Sequence, residues 1–401
     1  MCCARSSLCS YAEPSPRQPH IMSKNLSVGN PTIVPMSENQ KLINEEFTPE
    51  VIAAAEKQMA LAFKNQTSKQ HFVPAFYLRQ WQAGNRSLQV TNPDTLKCYL
   101  SAAERVAKIN EFYSLDGIGK DFAPRFFEQH YGDAENLAAP LLAKLAPMKP
   151  TVFSPDEGLV MARFLGMQMV RTPQAWDDID NKPRPTTKNQ RRLAWESFQR
   201  EHKTNRLYEA TIGQSEIVRQ ADGFGPKSFE WDSRSKFQIQ AEFMRRADKY
   251  ASILVNKLWF VVASNKESLV TTDAPVVRLN RGIFRRDVQL PVEQCFIHIF
   301  PLDPSRLLVM VPKLGRKTVP MRMVMPLSAD ETRAINLEMI ANSHRHVFEV
   351  VGGTEMQDLP FNGPPPEPIL ATSAGVIREE RFSRWATVRN PPNWPLKRWR
   401  V

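Results

Sequence analysis

Cysteine is scarce and unpatterned: Cys2, Cys3, Cys9, Cys98 and Cys295 are odd in number and form no C-x-x-C pair. That excludes a disulfide framework and finger-type zinc sites, and it fits a reducing, cytoplasmic location. No apolar run approaches the roughly 20 residues that span a bilayer, so no transmembrane segment is expected. The opening MCCARSSLCSYAEPSPRQPH lacks the apolar stretch of a signal peptide and reads as disordered, and Met22 is as good a start as Met1. The phosphate-cradling G-x-x-x-x-G-K-[ST] and G-x-G-x-x-G loops, the zinc-binding H-E-x-x-H and the nucleophile elbow G-x-S-x-G are all missing, which excludes nucleotide-fold enzymes, zincins and serine hydrolases of those types. Acidic residues are in deficit, 42 against 53 Lys and Arg, and the resulting net charge of +11 favours polyanionic partners such as nucleic acid.

What is present centres on Lys69 to Trp81, KQHFVPAFYLRQW. Pro74 suits a helix start, where its missing N–H costs no hydrogen bond, and Gly84 suits the residues just past the end. The spacing predicts a helix from about Pro74 to Trp81 whose Phe76, Tyr77 and Trp81 form a buried aromatic face. His71 stands ahead of that N-terminus, where the dipole favours a neutral imidazole able to bind a metal, act as a base or cap the helix.

Hydrophobic content of 42% with 9% aromatics is enough for a core. Residues 1–46 read as a disordered leader and linker, residues 47–350 as a single α+β domain, and residues 351–401 as a Pro-rich and then basic, Trp-rich tail. A helix starts at Thr48-Pro49-Glu50. Leu88 to Thr91 and Leu96 to Leu100 flank Asn92-Pro93-Asp94-Thr95 as a hairpin. A helical block covers about 120–258: Asp133 caps one helix, Ser154-Pro155-Asp156-Glu157 is a capping box for the next, and a long helix contains Phe243, Ala247, Tyr250, Leu254 and Leu258. Short strands then follow at Trp259 to Ala263, Leu269 to Thr271, Cys295 to Phe300 and Arg306 to Val311. Ser328-Ala329-Asp330-Glu331 opens a helix to about Ser343, and Val347 to Val350 closes the set. The expected fold is therefore α+β, a short-stranded mixed sheet core with a helical subdomain inserted between strand blocks.

QHFVPAFYLRQW resembles the opening signature of the family catalogued as domain of unknown function 4238. The likeness continues at Ala107 to Leu115, Arg171-Thr172-Pro173, Thr271 to Val277 and Asn336 to Val350. The resemblance implies no activity, but its blocks contain four polar positions, His71, Asp273, Arg171 and Asn336. Should they converge, His71 as base or ligand, Asp273 as ligand, Arg171 on a phosphate and Asn336 on a water would make a metal-dependent phosphodiesterase or nuclease using a divalent ion.

The leading expectation is a nucleic-acid-associated protein. Its binding surface would be the basic middle helix with Arg191 and Arg192, and the tail with Arg381, Arg384, Trp385, Arg398 and Trp399, since Arg and planar aromatics bind phosphates and stack bases. A non-catalytic interaction scaffold is the third reading. Arg125 and His130 repeat the R-x-x-x-x-H spacing of a family of helical RNases, although an aromatic follows the arginine here. His298 alternates to one face of a strand, and His344-x-His346 has the period of one strand face.

Overall fold

The computed structural model describes residues 68–114, 125–145, 153–180, 236–264, 268–279, 286–289, 295–312, 326–373 and 376–392, with a few more at 57–64, 187–193 and 291–292. The expected leader, Arg191, Arg398 and Trp399 lie outside these residues. So does most of the helix expected from Thr48, of which Lys57, residues 60–62 and Lys64 are helical.

The signature stretch folds as β1 (Lys69–His71) and α1 (Ala75–Leu78), continued by a 3-10 turn at Arg79–Trp81. Pro74 stands one residue before the helix rather than inside it. Tyr77 and Trp81 are fully buried and also hydrogen-bonded, as buried polar tips must be. The Tyr77 hydroxyl donates to the Pro301 carbonyl at 2.8 Å and meets Thr271 Oγ1 at 2.7 Å, while Trp81 Nε1 donates to the Leu269 carbonyl at 2.8 Å. A segment near residue 77 is thereby fixed to strands some two hundred positions later.

The hairpin is β2 (Leu88–Thr91) and β3 (Cys98–Ser101). Its turn is held by the Asn92 carboxamide, which accepts from Asp94 N at 2.9 Å and Thr95 N at 3.0 Å. Strand β4 (Lys108–Asn110) returns to pair with β1.

Four helices follow: α2 (Phe126–Lys144), α3 (Pro155–Val170), α4 (Pro173–Asp180) and α5 (Lys236–Val255). The first begins seven residues before Asp133, which is interior to the helix rather than its cap; Arg125 occupies the cap and ion-pairs with Glu111. The capping box of α3 is complete, with Glu157 N donating to Ser154 Oγ at 3.2 Å and Ser154 N to Glu157 Oε2 at 2.8 Å. Helices α3 and α5 touch at Gly166, where a methyl group would stand 2.4 Å from the Ala247 carbonyl oxygen. Glycine is required there by proximity.

The remaining elements are β5 (Lys257–Ala263), β6 (Thr271–Thr272), β7 (Val277–Leu279), β8 (Val288–Gln289), β9 (Ile297–Asp303), β10 (Arg306–Pro312), α6 (Ala329–Ala341), β11 (Val347–Glu349), β12 (Ile369–Ser373) and β13 (Val376–Phe382). They assemble into sheets of order β5-β10-β9-β7, β3-β2-β11-β6 and β12-β13-β8, beside the β1-β4 pair. The fold is α+β. Among the described residues the strand ladders are antiparallel, and a parallel bridge joins Ser264 to Leu327. One apolar cluster joins the signature helix to α2, α3 and α5, and a second lies between α6 and the strands.

The stretch expected to be a Pro-rich and basic tail contains the β12-β13 hairpin, and β13 joins β8 with Arg381 opposite Gln289. Arg378-Glu379-Glu380-Arg381 reads as a solvated charge run, and its strand is defined by its pairing partners.

Candidate functional site

A polar cavity of about 110 Å³ opens between the α3–α4 corner, helix α5 and strands β7, β8 and β13. Among the described residues its lining holds Arg246, Arg278 and Arg381 and no carboxylate. Neutral polar groups, including Gln168, Thr172, Gln174, Gln289 and Asn342, fill the gaps, with Tyr250 as the one tyrosine of the wall.

Local structure fixes each arginine. Arg278 is the middle residue of β7; Val277 and Leu279 turn into the core, so alternation turns Arg278 towards the cavity. Its Nη2 donates to Gln289 Oε1 at 3.0 Å; Gln289 Nε2 then donates to Asn342 Oδ1 at 3.1 Å, and Asn342 Nδ2 to the Glu338 carbonyl at 2.9 Å. That relay ties the guanidinium to the end of α6. Arg246 is held by Glu242, one turn earlier on α5, at 2.7 Å, but Glu242 also binds Arg245, so two cations share one anion. Arg381 pairs with Glu379, and burial pushes its guanidinium down to about 10.

Arg171-Thr172-Pro173 forms the partition behind this cavity. Thr172 lines it, whereas Arg171, 1% exposed, points the other way. Arg171 ion-pairs with Glu135 at 2.7 Å and lies 5.4 Å from the centre of the Tyr131 ring. Tyr113 donates its hydroxyl to the carbonyls of both Arg171, at 3.1 Å, and His71, at 3.3 Å. His71 and Arg171 thus belong to one buried cluster. Burial first, then Lys108 and Arg171, holds the His71 imidazole below its ordinary pKa, and its Nε2 has no hydrogen-bond partner. In the same cluster Glu128 is pushed up to about 7, chiefly by burial; Arg171 opposes the shift and the Glu135 charge adds to it.

Asp273 and Asn336 are engaged in the sheet–helix layer. The buried Asp273 carboxylate accepts from the backbone N–H groups of His344, Arg345 and His346 at 2.8, 2.6 and 2.9 Å. Burial works to raise its pKa, but the His346 side chain and those N–H groups outweigh it and hold the carboxyl below the ordinary aspartate value. The Asn336 carboxamide accepts from Val270 N at 3.0 Å and donates to the Ser268 carbonyl at 2.8 Å. These two side chains brace loops, in place of the metal-ligand and water-orienting roles expected of them. No group of three or more His, Cys, Asp or Glu among the described residues could hold a metal ion.

The tail candidates require a correction. Arg384 and Trp385, expected on a nucleic-acid surface, are 1% and 0% exposed. Arg384 ion-pairs with Asp94 at 2.8 Å and donates to the carbonyls of Ile340, Ser343 and His344. Trp385 packs edge-on against Phe361 at 4.7 Å and beneath the Arg286 guanidinium at 3.9 Å. Both lock residues 383–388 onto the body, so neither is free to stack a base. Arg192 is exposed and donates to Asn189 Oδ1 at 3.1 Å. Of the helical-RNase pattern, Arg125 binds Glu111 and Ser114, and the His130 ring stacks on Phe126 at 6.4 Å, so the arginine is engaged with the β4 loop. His298 is buried with neither ring nitrogen bonded.

Arg246, Arg278 and Gln289 were not singled out from the sequence. The one local signal was Arg278 between two core-facing strand residues.

The architecture is that of an α+β protein with an arginine-lined cavity at the junction of its helical block and its strands. The chain belongs to the family described as Protein of unknown function (DUF4238), which matches residues 69–350. That span includes Arg246 and Arg278, and Arg381 lies beyond it. No curated protein and no solved structure matches the chain. Among the described residues no helix is long and apolar enough to cross a membrane.

Proposed function

We propose that the protein binds a nucleic-acid strand by seating one of its phosphates on Arg246, Arg278 and Arg381. The observation that carries this reading is the convergence of three guanidinium groups in a cavity whose described lining has no carboxylate. Guanidinium forks match phosphate oxygens bidentately, and a partly desolvated arginine such as Arg381 gains more from an anion than one in bulk water. The net charge of +11 supports the same reading by drawing polyanions towards the surface. Neutral amides around the arginines supply donors that add no competing anion.

The test is equilibrium binding of labelled single-stranded RNA and DNA oligonucleotides, with inorganic phosphate and a nucleoside monophosphate as competitors. Arg278→Gln is expected to weaken oligonucleotide binding about tenfold, or ~1.4 kcal/mol, without changing the melting temperature. Arg192→Gln, on the exposed middle segment, is expected to change it less than about twofold, as for a solvated surface charge. Loss of binding in Arg192→Gln with none in Arg278→Gln would move the binding surface out of the cavity and overturn the reading.

A further inference from the structure

We propose that His344, positioned by Asp177 at the edge of the arginine cavity, is a general base that hydrolyses a phosphodiester held there. This rests on the phosphate-binding reading above and adds a reaction to it.

Placement is the first argument. Ala274 and Asn342 line the cavity; Asp273 directly precedes the former, and His344 lies two residues after the latter. The Asp273 carboxylate grips three consecutive N–H groups from His344 to His346, so the loop that presents the His344 ring is fixed by a buried anion. On the other side, α4 contributes Gln174 and Ala175 to the cavity and Asp177 to the imidazole, with Nε2 3.5 Å from Oδ2. The two segments that carry the pair therefore also build the cavity wall.

Accessibility is the second. The side chains of His344 and Asp177 are 23% and 45% exposed, so water reaches both, in contrast to buried Arg384. His344 Nε2 faces Asp177 Oδ2 at 3.5 Å without a hydrogen bond between them, and closing that gap on substrate binding would hold the proton on Nε2 and leave Nδ1 to accept one. Burial, the largest influence, lowers the imidazole pKa against the opposing charges of Asp273 and Asp177 and so favours the neutral base at pH 7. A spacing of 3.5 Å is loose for a working pair, but such contacts tighten when substrate binds.

The step consumes one water. Its oxygen attacks phosphorus while His344 takes its proton, the ester P–O bond breaks, and the leaving oxygen is protonated by solvent, giving a phosphomonoester and an alcohol. Asp177 is a positioning residue that stabilises the imidazolium formed on the way. The arginines neutralise charge on the non-bridging oxygens as it builds up.

The full chain is incubated with labelled single-stranded RNA and DNA oligonucleotides at fixed Mg²⁺, and cleavage is followed under single-turnover conditions beside the binding assay. The wild type is expected to cleave at least one of the two. His344→Gln should lose 100-fold or more in rate, the range of general-base catalysis, while binding within about twofold of wild type. Asp177→Asn should lose about tenfold and move the acid limb of the pH–rate profile to lower pH, because the lost carboxylate had raised the His344 pKa, a change that a merely structural role would not produce. A wild type that binds but does not cleave would overturn this inference and leave the binding reading standing. A wild type that does not bind would remove both. Cleavage by His344→Gln at the wild-type rate would overturn the assignment of the base.

Discussion

Two polar regions lie on either side of the β6–β7 turn, and they treat charge in opposite ways. Around Asp273 and Arg384 every ion is saturated: three N–H groups close on the carboxylate, while one aspartate and three carbonyls close on the guanidinium. In the cavity, three guanidinium groups share space with neutral amides and no lining carboxylate. Burying charge is costly unless it is paired and hydrogen-bonded, and the cavity arginines meet that condition through Glu242, Gln289 and Glu379 while still converging on one wall. The contrast teaches that position in a family block does not separate the two, since Asp273 and Asn336 stand in such blocks and brace the fold, whereas Arg278 and Arg246 stand outside the blocks singled out from the sequence.

The comparison is broken most severely at its saturated side. Asp273→Ala leaves three N–H groups of one loop unpaired, and a loss of about 3–5 kcal/mol is expected in denaturant unfolding at pH 7. Because the folded carboxyl lies below its ordinary pKa, its stabilisation is present above the unfolded value and is lost as pH falls through the folded one. The mutant and wild type should therefore converge in acid. Gly166→Ala forces α3 from the Ala247 carbonyl and is expected to cost about 1–3 kcal/mol, read from the midpoint of thermal or denaturant unfolding.

Glu128 sharpens the contrast with Asp273. Folding holds a proton on Glu128 up to about pH 7, whereas the unfolded chain releases it near 4.5. Its contribution is full below about pH 4.5 and is lost as pH rises through about 7, the reverse of Asp273. Glu128→Gln keeps the neutral form and should stabilise the protein by about 1 kcal/mol at pH 8, discounted for its partial exposure, with little effect at pH 5. Urea unfolding at the two pH values checks both signs.

Much of the fold was legible wherever the deciding forces are local. The capping boxes at Ser154 and Ser328, the Asn92 turn and the aromatic face of Phe76, Tyr77 and Trp81 depend on neighbours within a few residues, and each is present in the structure. The β12-β13 hairpin was not read because charged residues at Glu379–Arg381 become a strand through pairing with β8. The site was harder for the same reason. Arg384 and Trp385 share the composition of a nucleic-acid surface, and burial beneath Asp94 and Arg286 gives them a different role. Arg246, Arg278 and Arg381 are 32 or more residues apart and acquire meaning through their common cavity.

The central claim, that these arginines receive a phosphate backbone, is tested most directly by the salt dependence of oligonucleotide binding. One phosphate neutralised on this wall predicts a log K against log [salt] slope of about −0.7 for a single strand, brought closer to zero in Arg278→Gln, because each neutralised phosphate releases about 0.7 counterion. A flat plot, or a slope that Arg278→Gln leaves unchanged, would contradict it.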